Sequence, residues 1–129
     1  MLQKASMAFG IVFVLIGVLG FIPVFTPDGH LLGIFHVDAV HNVIHLASGA
    51  AALLAASSAS YSRLYFKVFG VVYGIVAVGG FVPALQFGED MKLLGLTFMN
   101  LADNLLHVGI AAASLYLGFV YKSSDAARV

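Results

Sequence analysis

Apolar residues fall along this chain in four long runs, at approximately 5–25, 38–58, 64–86 and 99–121. Each is long enough to cross a hydrocarbon core of roughly 30 Å as a helix. Polar and turn-forming residues gather between them, in "FTPDGH", "SSASYSR" and "QFGEDMK", stretches too short to fold as domains of their own. The pattern predicts an all-α integral membrane protein of four transmembrane helices, with residues 1–129 forming a single transmembrane domain. The first run follows Lys4 as a signal peptide would, but "FIPVFTPDG" offers no small-x-small cleavage site and the run is long for a signal sequence. It reads as a transmembrane helix.

The runs are related to one another. "FGIVFVLIGVLGFIP" (9–23) aligns without gaps on "FGVVYGIVAVGGFVP" (69–83), and "LLGIFHVDAVHNVIHLASGAAALL" (31–54) on "LLGLTFMNLADNLLHVGIAAASLY" (93–116). The offset is 60 in the first block, Phe9 to Phe69, and 62 in the second, Leu31 to Leu93, so the second copy carries two extra loop residues. The expected architecture is two two-helix repeats, about 5–58 and 64–121, followed by a cytoplasmic tail at 122–129. An even number of spans per repeat inserts both copies the same way round, as parallel repeats with a pseudo-twofold axis along the membrane normal.

Composition agrees. The chain is 61% hydrophobic and 9% charged, with a mean hydropathy of +1.03, whereas a soluble domain carries about 25% charged residues. Six basic residues balance six acidic ones, which leaves no basic footprint for nucleic acid. The absence of Cys excludes disulfides, thiolate metal sites and a cysteine nucleophile. Lys4, Arg63, Lys67, Lys122 and Arg128 lie at the termini and the middle loop, while Asp28, Glu89 and Asp90 lie in loops one and three with Lys92. The positive-inside rule then places both termini in the cytoplasm and loops one and three outward, with a bacterial inner membrane as the expected location.

Polarity enters the apolar runs at one depth. Asp38, His41, Asn42 and His45 correspond, across the repeat, to Asn100, Asp103, Asn104 and His107. Positions 38, 41 and 45 share one helix face, as do 100, 103 and 107. Asp38 and Asn100 stand where helices begin, and N-capping accounts for them. His41, His45, Asp103 and His107 together offer three imidazoles and a carboxylate, a donor set for a divalent metal, with Asn42 and Asn104 placed to orient the imidazoles. The same residues also suit a closed interhelical hydrogen-bond network of Asp38, Asn42, Asn100 and Asn104 with the histidines, a tetrapyrrole (haem or chlorin) on one or two His, or proton handling. His30 and His36 read as solvated loop residues.

Small residues fill the remaining faces. Gly10, Gly17, Gly20, Gly70, Gly74, Gly79 and Gly80 line the odd-numbered helices, where they permit close helix approach in lipid, within one chain or between chains. Pro23 and Pro83 mark the outer ends of helices one and three. No phosphate-loop, nucleophile-elbow, HExxH or CxxC motif occurs. In sequence order, "GVLGFIP", "HNVIHLASG" and "LADNLLHVGIAAAS" resemble a bacterial family of small four-helix membrane proteins described as a domain of unknown function. The resemblance rests most on His41-Asn42-x-x-His45 and Ala102-Asp103-Asn104-x-x-His107, and implies a membrane topology but no substrate. The leading expectation is a non-enzymatic accessory subunit held in the lipid bilayer beside other transmembrane proteins or its own copies. A metal- or tetrapyrrole-binding protein is the alternative, and an oligomeric pore or proton-linked carrier the third.

Overall fold

The computed structural model describes residues 1–122, and four helices carry most of them: α1 (Leu2–Leu19), α2 (Ala39–Ala55), α3 (Ala59–Gly80) and α4 (Leu101–Leu115). A wider π turn, Tyr116–Val120, continues α4. Three of the helices, α1, α3 and α4 with its continuation, are long and apolar enough to cross a membrane, as expected of an integral membrane protein in contact with lipid. The fourth, α2, has 17 residues, about 25 Å at 1.5 Å per residue. Of the tail expected at 122–129, residues 123–129, Arg128 included, lie outside the described residues.

The helix ends depart from the apolar runs for local reasons. α1 stops at Leu19 rather than near 25, and α3 at Gly80 rather than near 86. Pro23 and Pro83 disfavour helical geometry in the residue before them. Ile22 and Val82 are accordingly extended (φ −98° and −106°), and each proline opens a short 3-10 turn. At the other end α3 starts at Ala59 rather than near 64, because the Ser58 side chain accepts from the Tyr61 amide at 3.1 Å and caps it. Arg63 and Lys67 therefore sit in the first turns of α3, not in a loop. Arg63 donates to the carbonyls of Gly118 and Tyr121 (3.2 and 2.9 Å), tying the π turn to α3.

The long connections are folded. Between α1 and α2, β1 (His30–Leu31) pairs antiparallel with β2 (Phe35–His36). Between α3 and α4, β3 (Gln86–Phe87) pairs with β4 (Lys92–Leu93). Helix, proline turn, hairpin and helix thus follow one another twice along the chain.

Packing joins the helices as two antiparallel pairs. A Cβ at Gly10 would meet the Gly49 carbonyl at 3.0 Å, and one at Gly49 would meet the Val14 amide at 2.7 Å, so α1 and α2 touch backbone to backbone. In the second pair a Cβ at Gly70 would meet the Leu115 amide at 2.9 Å. Gly74, the other half of the GxxxG, faces open space. The two pairs join through rings: Phe13 lies edge-on to Phe69 (5.3 Å) and Tyr73 (5.8 Å), with Phe66 fully buried beside them. This aromatic layer closes one end of the space in which the polar residues sit.

Candidate functional site

The first turns of α2 and α4 lie side by side, and their caps are exchanged between the two halves of the chain. Asp38 caps α2 by accepting from the His41 amide at 2.9 Å. Its second oxygen reaches across to the Thr97 hydroxyl (2.8 Å) and the Phe98 amide (3.0 Å). In return, Asp103 accepts from the His36 amide at 3.1 Å, and Asn100 donates to the Ile34 carbonyl at 2.8 Å. His36 and Phe98 are matched positions of the duplicated sequence, and their rings stack on each other at 4.5 Å. Asp38 and Asn100 therefore end helices and also clamp the two halves together. His36, expected to be a solvated loop residue, is a structural part of that clamp.

Beneath the clamp, three imidazoles converge. His41 and His45 come from successive turns of α2 and His107 from α4, all three buried, with one nitrogen of each lying within 4.8 Å of the others. His45 packs edge-on to Phe13 and His107 edge-on to Tyr73, each at 5.5 Å. Phe13 and Tyr73 are again matched positions, so each half supplies one imidazole held by one aromatic ring. His41 is the odd member, since its counterpart is Asp103. The cluster borders a cavity of about 180 Å³ whose wall includes Tyr73, Val76, Leu93, Thr97 and Met99.

The hydrogen bonding of this region divides sharply. Asp103 forms a capping box with Asn100, accepting from its amide at 2.9 Å while its own amide donates to the Asn100 side chain at 2.9 Å. The carboxylate is thus engaged with two backbone amides, and the metal-sized group comprises the three histidines without it. The asparagines do not orient the imidazoles either. Asn104 donates to the Gly80 carbonyl at 2.9 Å, and Asn42 packs its carboxamide against Gly20. The Nδ1 atoms of His41, His45 and His107 are all buried with no hydrogen-bond partner, and so are the Oδ1 atoms of Asn42 and Asn104. A buried polar atom left without a partner costs about 1–3 kcal/mol. The three imidazoles, beside caps that are well satisfied, are the members of this group whose nitrogens also lie close enough together to share one ion.

Sequence reasoning did not single out Met99, Thr97, Phe13 or Tyr73. The matched aromatic positions were visible in the duplication, but Met99 carried no signal that set it apart from other apolar residues.

Residues 3–120 match the family described as a domain of unknown function, DUF4383, and the chain belongs to that family. No curated protein and no solved structure matches the chain.

Proposed function

We propose that this member of the DUF4383 family is a non-enzymatic membrane protein whose three buried histidines hold a metal ion. The observation that carries the reading is the convergence of three buried imidazoles, one nitrogen of each within 4.8 Å of the others, whose Nδ1 atoms lack any partner in the fold. A metal bound at roughly 2.0–2.1 Å by imidazoles needs nitrogens about 3.4 Å apart in a tetrahedral shell. The 4.8 Å separation closes to that by small side-chain rotations, of roughly 1.4 Å at most. A cavity of about 180 Å³ suits an ion and one small ligand, and lies below the roughly 300 Å³ at which organic ligand pockets begin. The cavity shared by all three histidines thus favours an ion over a haem or chlorin; the second cavity at the cluster, about 320 Å³, is lined by His45 alone of the three.

In this reading all four helices enter the bilayer, the 17 residues of α2 covering about 25 Å of it. The duplicated sequence then supplies two parallel repeats about an axis along the membrane normal, passing between His36 and Phe98. The cluster lies just inside the outer interface, where desolvation costs less than at the bilayer centre. Both termini face the cytoplasm on the positive-inside rule, and the two hairpins face outward. An accessory-subunit role accounts for the outward apolar residues of α1 and α3, but lipid accounts for them equally, and neither uses the three imidazoles.

The test is elemental analysis and a visible spectrum on protein purified in mild detergent without chelator or nickel affinity resin. A His45→Ala, His107→Ala double variant serves as control. Near-stoichiometric metal that disappears in a folded double variant supports the site. A Soret band would replace the ion by a tetrapyrrole. Metal-free protein that takes up none on dialysis would refute the reading.

A further inference from the structure

We infer that the ion this site selects is monovalent copper, Cu(I); the inference rests on the metal-site reading above and specifies its ligand chemistry. Two observations lead to it. The first is charge. The two carboxylates near the cluster are held by hydrogen bonds of their own: Asp38 through both oxygens, accepting from the His41 and Phe98 amides and the Thr97 hydroxyl, and Asp103 through Oδ2, accepting from the His36 and Asn100 amides. No thiolate exists anywhere in the chain. The imidazoles are therefore the ionisable donors of the group, and they are neutral when they ligate.

Around them the cavity wall is apolar, with Val72, Val76, Leu93 and Leu96 among its residues. The cost of placing an ion in such a medium rises with the square of its charge, so a dication pays about four times what a monocation of equal radius does. With no anionic donor inside the three-imidazole group, a single positive charge is the less costly one to place there.

The second observation is softness. Met99 lines the same cavity as His41, His45 and His107. Its thioether is a soft donor, of the kind that selects Cu(I) and is passed over by Mg²⁺, Ca²⁺ and Mn²⁺. Three imidazoles and the Met99 thioether would supply a neutral donor set for Cu(I), from α2, α4 and the segment that leads into α4.

The experiment uses the full chain in mild detergent under anaerobic conditions. Cu(I) is titrated against a chromogenic Cu(I) chelator, and Zn(II) in parallel against a zinc chelator. The expected result is one Cu(I) per chain, bound at least roughly 100-fold more tightly than Zn(II). Met99→Leu, which keeps the side-chain volume, should weaken Cu(I) about tenfold and leave Zn(II) unchanged. Helical circular dichroism and gel filtration establish that each variant is folded. Zn(II) bound as tightly as Cu(I), or Met99→Leu without effect on Cu(I), overturns the copper inference while leaving a metal site in place. Retention of neither ion overturns the metal-site reading itself.

Discussion

Gly74 and Gly80 lie on the same helix within two turns, yet alanine at each should act with opposite sign. At Gly80 a Cβ would run into the Asn104 carboxamide, which packs on that glycine and donates to its carbonyl at 2.9 Å. Overpacking of a filled contact costs about 1–3 kcal/mol, and displacing the buried carboxamide leaves it unpaired at about 1–3 kcal/mol more. Gly80 is the last residue of α3, so alanine recovers little helix propensity there. A net loss of about 3 kcal/mol is expected. At Gly74 a Cβ would meet nothing within 4 Å, and the position is in the helix interior, where alanine is favoured over glycine by about 0.5–1 kcal/mol. Gly74→Ala should therefore stabilise. The assay is unfolding by sodium dodecyl sulfate titrated into mixed micelles, followed by far-ultraviolet circular dichroism. In an Asn104→Ala background the obstacle is gone, and Gly80→Ala should cost under about 1 kcal/mol. Equal effects at the two glycines, or an undiminished Gly80 penalty without Asn104, would refute the packing account.

The clamp between the halves predicts that Asp38→Ala and Thr97→Val are coupled in a double-mutant cycle by about 1–2 kcal/mol, since their 2.8 Å bond is charge-assisted; a coupling near zero would show the two halves held by other contacts. Asp38 precedes α2 and lies outside the helices. Burial pushes its carboxyl up, but the His41 and Phe98 amides and the Thr97 hydroxyl outweigh this and hold it below the ordinary carboxylate range. A folded value below the unfolded one contributes stability that is present above the unfolded value of about 3.9 and is lost as pH falls through the lowered folded value. Stability should therefore drop on acidification below about pH 4, with a shallower drop in Asp38→Asn. Because the chain has no native cysteine, single cysteines report topology directly: a membrane-impermeant maleimide should label Asp28→Cys and Glu89→Cys in intact cells and Ser57→Cys only after lysis. Labelling of all three from one side would contradict the proposed orientation.

Much of this arrangement is legible in the sequence. Hydrophobic run length announced the helices, and the self-alignment placed Asp38, His41, Asn42 and His45 opposite Asn100, Asp103, Asn104 and His107. The helix ends were misjudged by several residues because apolar "GFIP" and "GFVP" continue the runs in composition, while the prolines already forbid helix at Ile22 and Val82. Asp103 was grouped with the histidines because its spacing suits a metal ligand. The Asn100-x-x-Asp103 spacing also suits a capping box, and the local bond from the Asn100 amide, joined by one from the His36 amide across the two halves, claims the Oδ2 of the carboxylate. The cross-links of Asp38 to Thr97 and Phe98 depend on two helix starts being neighbours, which no local pattern encodes. Met99 joins the cavity for the same reason, through the path of the segment between β4 and α4.

The central claim is that His41, His45 and His107 together bind one metal ion. X-ray absorption at the edge of the retained metal, on protein purified without added chelator, tests it most directly. The account predicts a first shell of about three nitrogens with the outer-shell scattering of imidazole rings, diminished in His107→Ala. A shell of oxygens alone, or an edge no stronger than in the His45→Ala, His107→Ala variant, would contradict it.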